Sequence, residues 1–274
     1  MFAGIKGEAL KLAGITLHPR HRELLGRRAE RGGAAGPRGW TALLTAVEDG
    51  DPVAVQRLID LVTTRHTGFF RHPEHFELAA AHARHAVKER GVARLWSAGT
   101  ATGEEAWSLA ITMVEAFQRP DPPVEIVATD IHEAALAAAA RAEYRDRALQ
   151  ALGGARRARF ATEPAAEGRQ GLVPALRRFV RFHPLNLAAA VWPVDGPFDV
   201  ILCRNVLMYL EAGHRYAVLE RLASLLAPDG LLFLDPAEHP GPAGHWFSPR
   251  AEGVYARRRG LPASRRESWP HPAH

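Results

Sequence analysis

A glycine turn running into two adjacent carboxylates concentrates the chemistry of this sequence in one stretch, ARLWSAGTATGEEAWSLAI, residues 93–111. Arg94 to Ser97 is a short apolar run with the length of a buried strand. Gly99 and Gly103 then bracket a segment without bulk. From Glu104 onward, Trp107, Ala110, Ile111 and Val114 recur at helical spacing. Thr102 and Glu105 form a T-x-x-E pattern, which predicts a capping box that occupies Glu105 and leaves Glu104 available. Such a turn lets a ligand reach bare backbone at Gly99, on the C-terminal edge of a parallel sheet. The spacing is G-x-x-x-G, and the carboxylates that follow repel a pyrophosphate, which disfavours a dinucleotide. A cofactor with a cationic centre and no phosphate fits better, and S-adenosylmethionine has that chemistry. On these residues alone, an ordinary strand–helix turn with two glycines stays open.

A second strand, VEIVATD, ends in Asp130. That carboxylate either accepts hydrogen bonds from the ribose hydroxyls of a nucleoside cofactor or caps the next helix, since D-I-H-E is also a capping pattern. One βα unit after a glycine turn, the ribose role is favoured. Phe198 to Cys203 reads as a buried strand with Arg204 and Asn205 at its C-terminal edge, where such sheets bind ligands. Tyr209 follows four residues later, where a phenol could face the same edge. FVRFHPLNL alternates and ends at Asn186. Upstream, Phe69-Phe70-Arg71 puts a guanidinium next to two rings that read as core anchors. His66, His72, His75, His82 and His85 come with no cysteine and no H-E-x-x-H spacing, so no metal site is expected. Cys203, the single cysteine, reads as a small core residue.

Helices dominate residues 1–62. Gly14 is expected to separate two short ones. Arg20 to Arg31, RHRELLGRRAER, is a strongly basic helix that is either a solvated face or an electrostatic contact for an acidic partner. Trp40–Val47 and Val53–Val62 complete the set. Residues 63–85 read as a linker contributing to the site, and 86–258 as a sheet domain. Within it, about 144–178 is irregular and reads as an insertion. A helix over Gly213–Leu226, a sharp P-D-G turn, a strand over Leu231–Asp235 and a hairpin joining Trp246–Phe247 to Val254–Arg257 close the domain. Residues 259–274 are expected to form a mobile tail.

With 274 residues and 47% hydrophobic content, the chain can build a sizeable core. One cysteine excludes an intrachain disulfide framework and suits the cytoplasm. No apolar run approaches the ~20 residues of a membrane span, so no membrane insertion is expected, and the start MFAGIKGEALKLAGITL has no signal-peptide pattern. The net charge of +5 and pI near 9.9 fit a nucleic-acid partner, an acidic protein partner or an arginine-rich genome. The arginines are scattered as well as clustered, so charge alone does not choose.

Taken in order, AGITL with the basic helix, TTRHTGFFR, SAGTATGEEAWSLAI, VATDI, LNL, FDVILCRNVLMYL, PDGLLFL and GVYARR give the chain a clear likeness. It resembles the CheR family, S-adenosylmethionine-dependent methyltransferases that esterify glutamates of chemotaxis receptors. The resemblance spans about residues 8 to 258, and TGEE, FFR and CRN together are highly specific. It implies an α/β fold: a Rossmann-like class I methyltransferase sheet with an N-terminal helical domain and a small inserted β-subdomain. It implies cofactor contacts from Arg65, Thr67, Arg71, Gly99, Glu104, Asp130, Asn186, Leu187, Arg204 and Asn205, with Arg71 and Tyr209 nearest the transferred methyl. S-adenosylhomocysteine is the implied product. The implied partner is the cytoplasmic helical domain of a chemoreceptor or a similar acidic sensory protein; no stable nucleic-acid complex is implied, and a monomer is expected.

The chain departs from the family pattern in places. Arg65 replaces a common asparagine, and a guanidinium beside a sulfonium is unfavourable unless it points outward. Ala106-Trp107 replaces the usual P-Y, and Asp235-Pro236-Ala237-Glu238 replaces the usual G-H-S-E. The insertion lacks the G-x-G associated with members that dock a receptor tail peptide, so such docking is expected to be absent. Two other readings stand beside glutamate esterification: a same-fold methyltransferase acting on RNA or a small molecule, and a cofactor-binding signalling module without catalysis.

Overall fold

The computed structural model describes residues 2–31, 36–64, 67–164 and 168–258. The chain opens with four helices: α1 (Phe2–Ala13), α2 (Arg22–Arg31), α3 (Gly36–Glu48) and α4 (Pro52–Val62). Asp51 caps α4, accepting from the Val53 N–H at 2.8 Å, with Pro52 at the first helical position. The apolar stripes of the four helices meet in one cluster that includes Ile5, Leu25, Trp40, Leu43 and Leu58.

Gly14 ends α1 with φ +65°, but no helix starts directly after it; helical structure resumes only at Pro19. The backbone instead runs extended and pairs with the distant 209–211 segment: Thr16 N–H donates to Tyr209 C=O at 2.8 Å, and Glu211 N–H to Gly14 C=O at 2.9 Å. A side chain at 14 would come within 2.9 Å of both Ala188 and His214. On α2 much of the positive charge is engaged within the fold. Arg28 donates to the Leu61 and Thr63 carbonyls, Arg27 pairs with Glu23, and Arg22 lies over the Phe2 ring.

Helix α5 (Pro73–Arg90) leads into an alternating βα run: β1 (Ala93–Ala98), α6 (Glu104–Phe117), β2 (Val124–Asp130) and α7 (Glu133–Arg141). The insertion follows, with β3 (Glu143–Arg145), α8 (Asp146–Leu149), α9 (Gly153–Phe160) and β4 (Arg169–Gly171); β3 and β4 form a two-stranded antiparallel sheet. Then come β5 (Val180–Pro184), β6 (Phe198–Leu202), α10 (Ala212–Leu225), β7 (Leu226–Phe233), β8 (Phe247–Ala251) and β9 (Val254–Arg257).

The main sheet has seven strands in the order β5-β2-β1-β6-β7-β9-β8, parallel except for the β9 and β8 pairings. This is the expected α/β class. Alternate residues of β1 face opposite layers: Leu95 joins Trp107, Ile111 and Phe233, whereas Trp96 joins Phe198, Leu219 and Leu222. Chain order reverses at β1, between β2 and β6, so its C-terminal edge is the crevice where ligands bind in open α/β sheets.

The late strand differs from expectation. β7 starts at Leu226 and carries the P-D-G residues inside it as a bulge, the pairing slipping from Phe198↔Leu226 to Val200↔Leu231. The closing hairpin forms as expected, Phe247 opposite Arg257. The expected tail, 259–274, lies outside the described residues. No helix among the described residues is long and apolar enough to cross a membrane.

Candidate cofactor and active site

The turn after β1 is held from β2. Gly99 and Thr100 N–H both donate to Thr129 C=O, at 2.7 and 2.9 Å, and Ala101 N–H donates to Asp130 Oδ2 at 2.7 Å. Gly99 has φ +81°, and a Cβ there would lie 2.3 Å from Val206 Cγ2. Both the left-handed backbone and the contact with the β6 loop therefore require glycine. Gly99→Ala is expected to push the 204–206 loop away and to lower S-adenosylhomocysteine affinity about tenfold or more, measured by calorimetry.

The capping box does not form. Gly103, at φ +92°, is the N-cap of α6 and no side chain caps it. The Thr102 hydroxyl instead donates to Glu104 Oε2 at 2.7 Å. Glu105 turns inward, accepting from the Ser97 hydroxyl at 2.7 Å and from Arg204 Nε at 2.7 Å. Arg204 is buried at the end of β6, and a buried guanidinium demands a carboxylate far more strongly than a helix end demands a cap. Arg204 Nη1 reaches on to the Arg71 carbonyl at 2.6 Å.

Asp130 is not the cap of α7. That position belongs to His132, whose Nδ1 accepts from Ala135 N–H. The Asp130 carboxylate accepts one backbone N–H on each oxygen, from Ala101 and, at 2.8 Å, from His132. A carboxylate has about four acceptor positions, so about two stay available, enough for a vicinal diol. Burial pushes the Asp130 carboxyl above the ordinary aspartate value, against the pull of the two N–H groups. The ionised form is the one that accepts two hydroxyls. With Asp130 as the acceptor of the ribose hydroxyls, cofactor affinity is expected to be full above the raised pKa and to fall as pH drops through it, sooner than for an ordinary aspartate. Folding has the opposite sign: the native state holds this proton more tightly than the unfolded chain does, so Asp130 opposes folding less as pH falls. S-adenosylhomocysteine titrations across pH are expected to show affinity declining on the acid side, and Asp130→Asn to flatten that decline. Burial likewise pushes up Glu104, which is buried at the start of α6.

A cavity of about 790 Å³, mouth included, opens on this edge. Of the residues singled out from sequence, Gly99, Asp130, Asn186, Leu187, Arg204, Asn205 and Tyr209 line it. Thr67, Arg71 and Glu104 are not in its lining, and Arg65 lies outside the described residues. Asn186 is engaged structurally, its Nδ2 donating to Leu12 C=O at 2.7 Å and its Oδ1 accepting from Ala188 N–H. Five wall residues precede residue 65: Ala13, Ile15 and Val62 from the helical part, and Thr63 and Thr64 from the start of the linker. The sequence reading named none of the five individually, although it placed Thr63 and Thr64 in a linker contributing to the site; AGITL stood out as a motif without a role. Gln56 Nε2, donating to Ile131 C=O at 3.0 Å, ties α4 to the rim.

Two acids of the 235–238 segment brace the far side. Glu238 accepts N–H groups of Asn205 (2.9 Å), Met208 (3.0 Å) and Asp235 (3.3 Å), which holds Asn205 at φ +59°. It is the one residue shared with G-H-S-E, and its glutamate was the available signal. Asp235 accepts from Asn205 Nδ2 at 2.7 Å and lies 3.5 Å from Arg71 and 3.4 Å from His72. Burial pushes the Asp235 carboxyl up, but Ala237 N–H, Asn205 and Arg71 outweigh it and hold it below the ordinary range. Phe70 and His72 both adopt positive φ, +51° and +58°. The segment is pinned by Ser108 Oγ to Phe70 N–H at 2.9 Å, by Arg204 and by Asp235.

These residues fit S-adenosylmethionine. The crevice offers a glycine backbone with no room for Cβ and a buried carboxylate with spare acceptor capacity.

Residues 65–251 match the family model described as CheR methyltransferase, SAM binding domain. The chain is similar to a chemotaxis protein methyltransferase 2 of Pseudomonas aeruginosa, with 35% identity over 258 residues, covering 93% of this chain and 92% of that one. It is similar to the chemotaxis protein methyltransferase of Escherichia coli, with 37% identity over 204 residues, 73% of this chain and 70% of that one. Among solved structures, the N-methyltransferase NodS of Bradyrhizobium japonicum aligns at TM-score 0.35 and 16% identity over 64% of this chain and 68% of that one, too faint to add anything. With a cofactor crevice that fits and relatives matched over nearly the whole chain, the protein belongs to the CheR family of S-adenosylmethionine-dependent chemotaxis methyltransferases.

Proposed function

We propose that the chain esterifies glutamate side chains of a chemoreceptor or receptor-like sensory protein, in the cytoplasm. One observation carries the choice of a carboxylate: among the described residues, the cavity lining contains no histidine, lysine or cysteine, and its one carboxylate is Asp130. Its titratable groups are Asp130, Arg204 and Tyr209. Asp130 is assigned to the ribose and Arg204 is paired with Glu105, so neither is free to remove a proton. An amine or hydroxyl substrate would need one removed. A glutamate carboxylate, with pKa about 4.3, is already ionised at neutral pH.

Bound S-adenosylmethionine supplies an electrophilic methyl on a cationic sulfur. The chain's own residues then have to hold the carboxylate in line and strip its water. Tyr209 lies in the lining; Arg71 lies behind it, its carbonyl held by the lining residue Arg204 and its guanidinium linked through Asp235 to Asn205. In this reading Arg71, 45% exposed at its side chain, grips one carboxylate oxygen while the other attacks. Asp235 shares that guanidinium, so the grip orients the substrate without quenching its nucleophilicity.

Transfer of labelled methyl to a receptor cytoplasmic fragment, released as methanol by base, tests the reading. Arg71→Ala is expected to lower kcat/KM about a hundredfold, with S-adenosylhomocysteine still bound. Methyl appearing in RNA, or cofactor binding with no transfer to any receptor fragment, would favour the other readings. Docking of a receptor tail pentapeptide is expected to be absent; micromolar binding would refute that.

A further inference from the structure

His132 stands where the helical part meets the sheet domain, 5% exposed, and one of its ring nitrogens has two incompatible neighbours. Nδ1 lies 3.2 Å from the Ala135 backbone nitrogen that it caps and 3.1 Å from Asp60 Oδ1 on α4. An imidazole nitrogen carries either a lone pair or a proton. With the lone pair, Nδ1 accepts from Ala135 N–H and faces a second acceptor. With a proton, it donates to Asp60 and gives up the cap. The same atom therefore serves α7 in one state and α4 in the other.

The pair sits directly behind the cofactor crevice. Asp60 precedes the wall residue Val62 by two positions, and His132 follows Asp130 by two. The backbone N–H of His132 donates to Asp130 Oδ1 at 2.8 Å. Gln56 runs alongside, its Nε2 donating to Asp60 Oδ1 at 2.9 Å and to Ile131 C=O at 3.0 Å. Asp60, Gln56 and His132 thus bridge α4 to the end of β2. The other charged groups around the ring border the open cleft beside it: Arg57 on α4, Arg28 on α2 and Glu133 on α7. Arg57 and Glu133 are exposed, and Arg28 holds the Leu61 and Thr63 carbonyls. Asp60 is the acid that meets Nδ1.

We propose that His132 is a positioning residue for the cofactor: in its protonated form it latches α4, through Asp60, onto the end of β2 and so closes the 62–64 wall against the ribose acid. A charge-assisted hydrogen bond is roughly twice as strong as a neutral one, so the protonated ring holds α4 more firmly than the neutral ring holds α7. A positive charge there also favours the ionised form of Asp130, the form that accepts hydroxyls. Imidazoles take up their second proton between about pH 8 and 5, so the latch tightens as pH falls through that range. The inference needs only the cofactor and holds whatever group receives the methyl.

Calorimetric titration of S-adenosylhomocysteine at about pH 8 and about pH 6 tests it, each variant being compared with wild type at the same pH. The decline set by Asp130 is common to all the proteins and cancels in that ratio. Asp60→Asn still accepts from Gln56 but removes the counter-charge. His132→Asn keeps a good N-cap and the backbone N–H on Asp130 but removes the imidazole. Each should bind within about twofold of wild type at the higher pH and about tenfold more weakly at the lower. The double variant should be no weaker than either single one. A melting temperature at the higher pH close to that of wild type reports that a variant is folded, and either single variant decides the matter alone. A loss equal at both pH values, or single losses that add in the double variant, would overturn the inference and leave the pair as a plain brace between α4 and α7.

Discussion

Asp130→Ala is expected to lower S-adenosylhomocysteine affinity by roughly 100-fold or more in calorimetry. The carboxylate has two acceptor positions for hydroxyls in a buried setting, and a hydrogen bond to a charged group contributes about 1.5–3 kcal/mol. Two such bonds give ~3 kcal/mol or more, which is at least two decades in Kd. The substitution also strips the acceptor from Ala101 and His132 N–H, so the glycine turn and the start of α7 loosen together. A loss below about threefold would mean that Asp130 serves only those backbone groups.

The second large effect concerns the pair Glu105 and Arg204, whose side chains are 10% and 3% exposed. Glu105→Ala leaves the guanidinium buried without its counter-charge, which costs about 3–5 kcal/mol. For a chain of this size that corresponds to a Tm about 10 °C lower, read by calorimetry. Because Arg204 also holds the Arg71 carbonyl and lines the cavity, cofactor affinity should fall as well. Replacing both partners, as Glu105→Leu/Arg204→Met, should restore most of the stability but not the affinity. Recovery of both would show that the pair is purely structural.

These two carboxylates illustrate what the sequence discloses. The place of Asp130 on the cavity was legible because the signal is positional: an acid at the end of a second strand, one βα unit after a glycine turn. Glu105 was misread because T-x-x-E is a local pattern, while its true partner is 99 residues away. The strands of the main sheet were legible as apolar runs, since burial on both faces leaves a continuous signal. The bulge in β7 was not, because P-D-G reads as a turn unless a neighbouring strand is there to carry the chain past it. Gly14 stops a helix in either account. Only the contact with residues 209–211 decides that extended chain follows. The helical wall of the cavity gave no local signal either, because Val62, Thr63 and Thr64 acquire their place from the way α4 docks on Ile131.

That wall has a thermodynamic consequence. The match to the family's cofactor-binding model begins at residue 65, yet five residues facing the cavity precede it in the chain. A molecule seated there touches both halves at once and is lost if they part. Occupancy therefore acts as a reversible cross-link: it stabilises the docked state by mass action, making two packing units with separate cores melt as one.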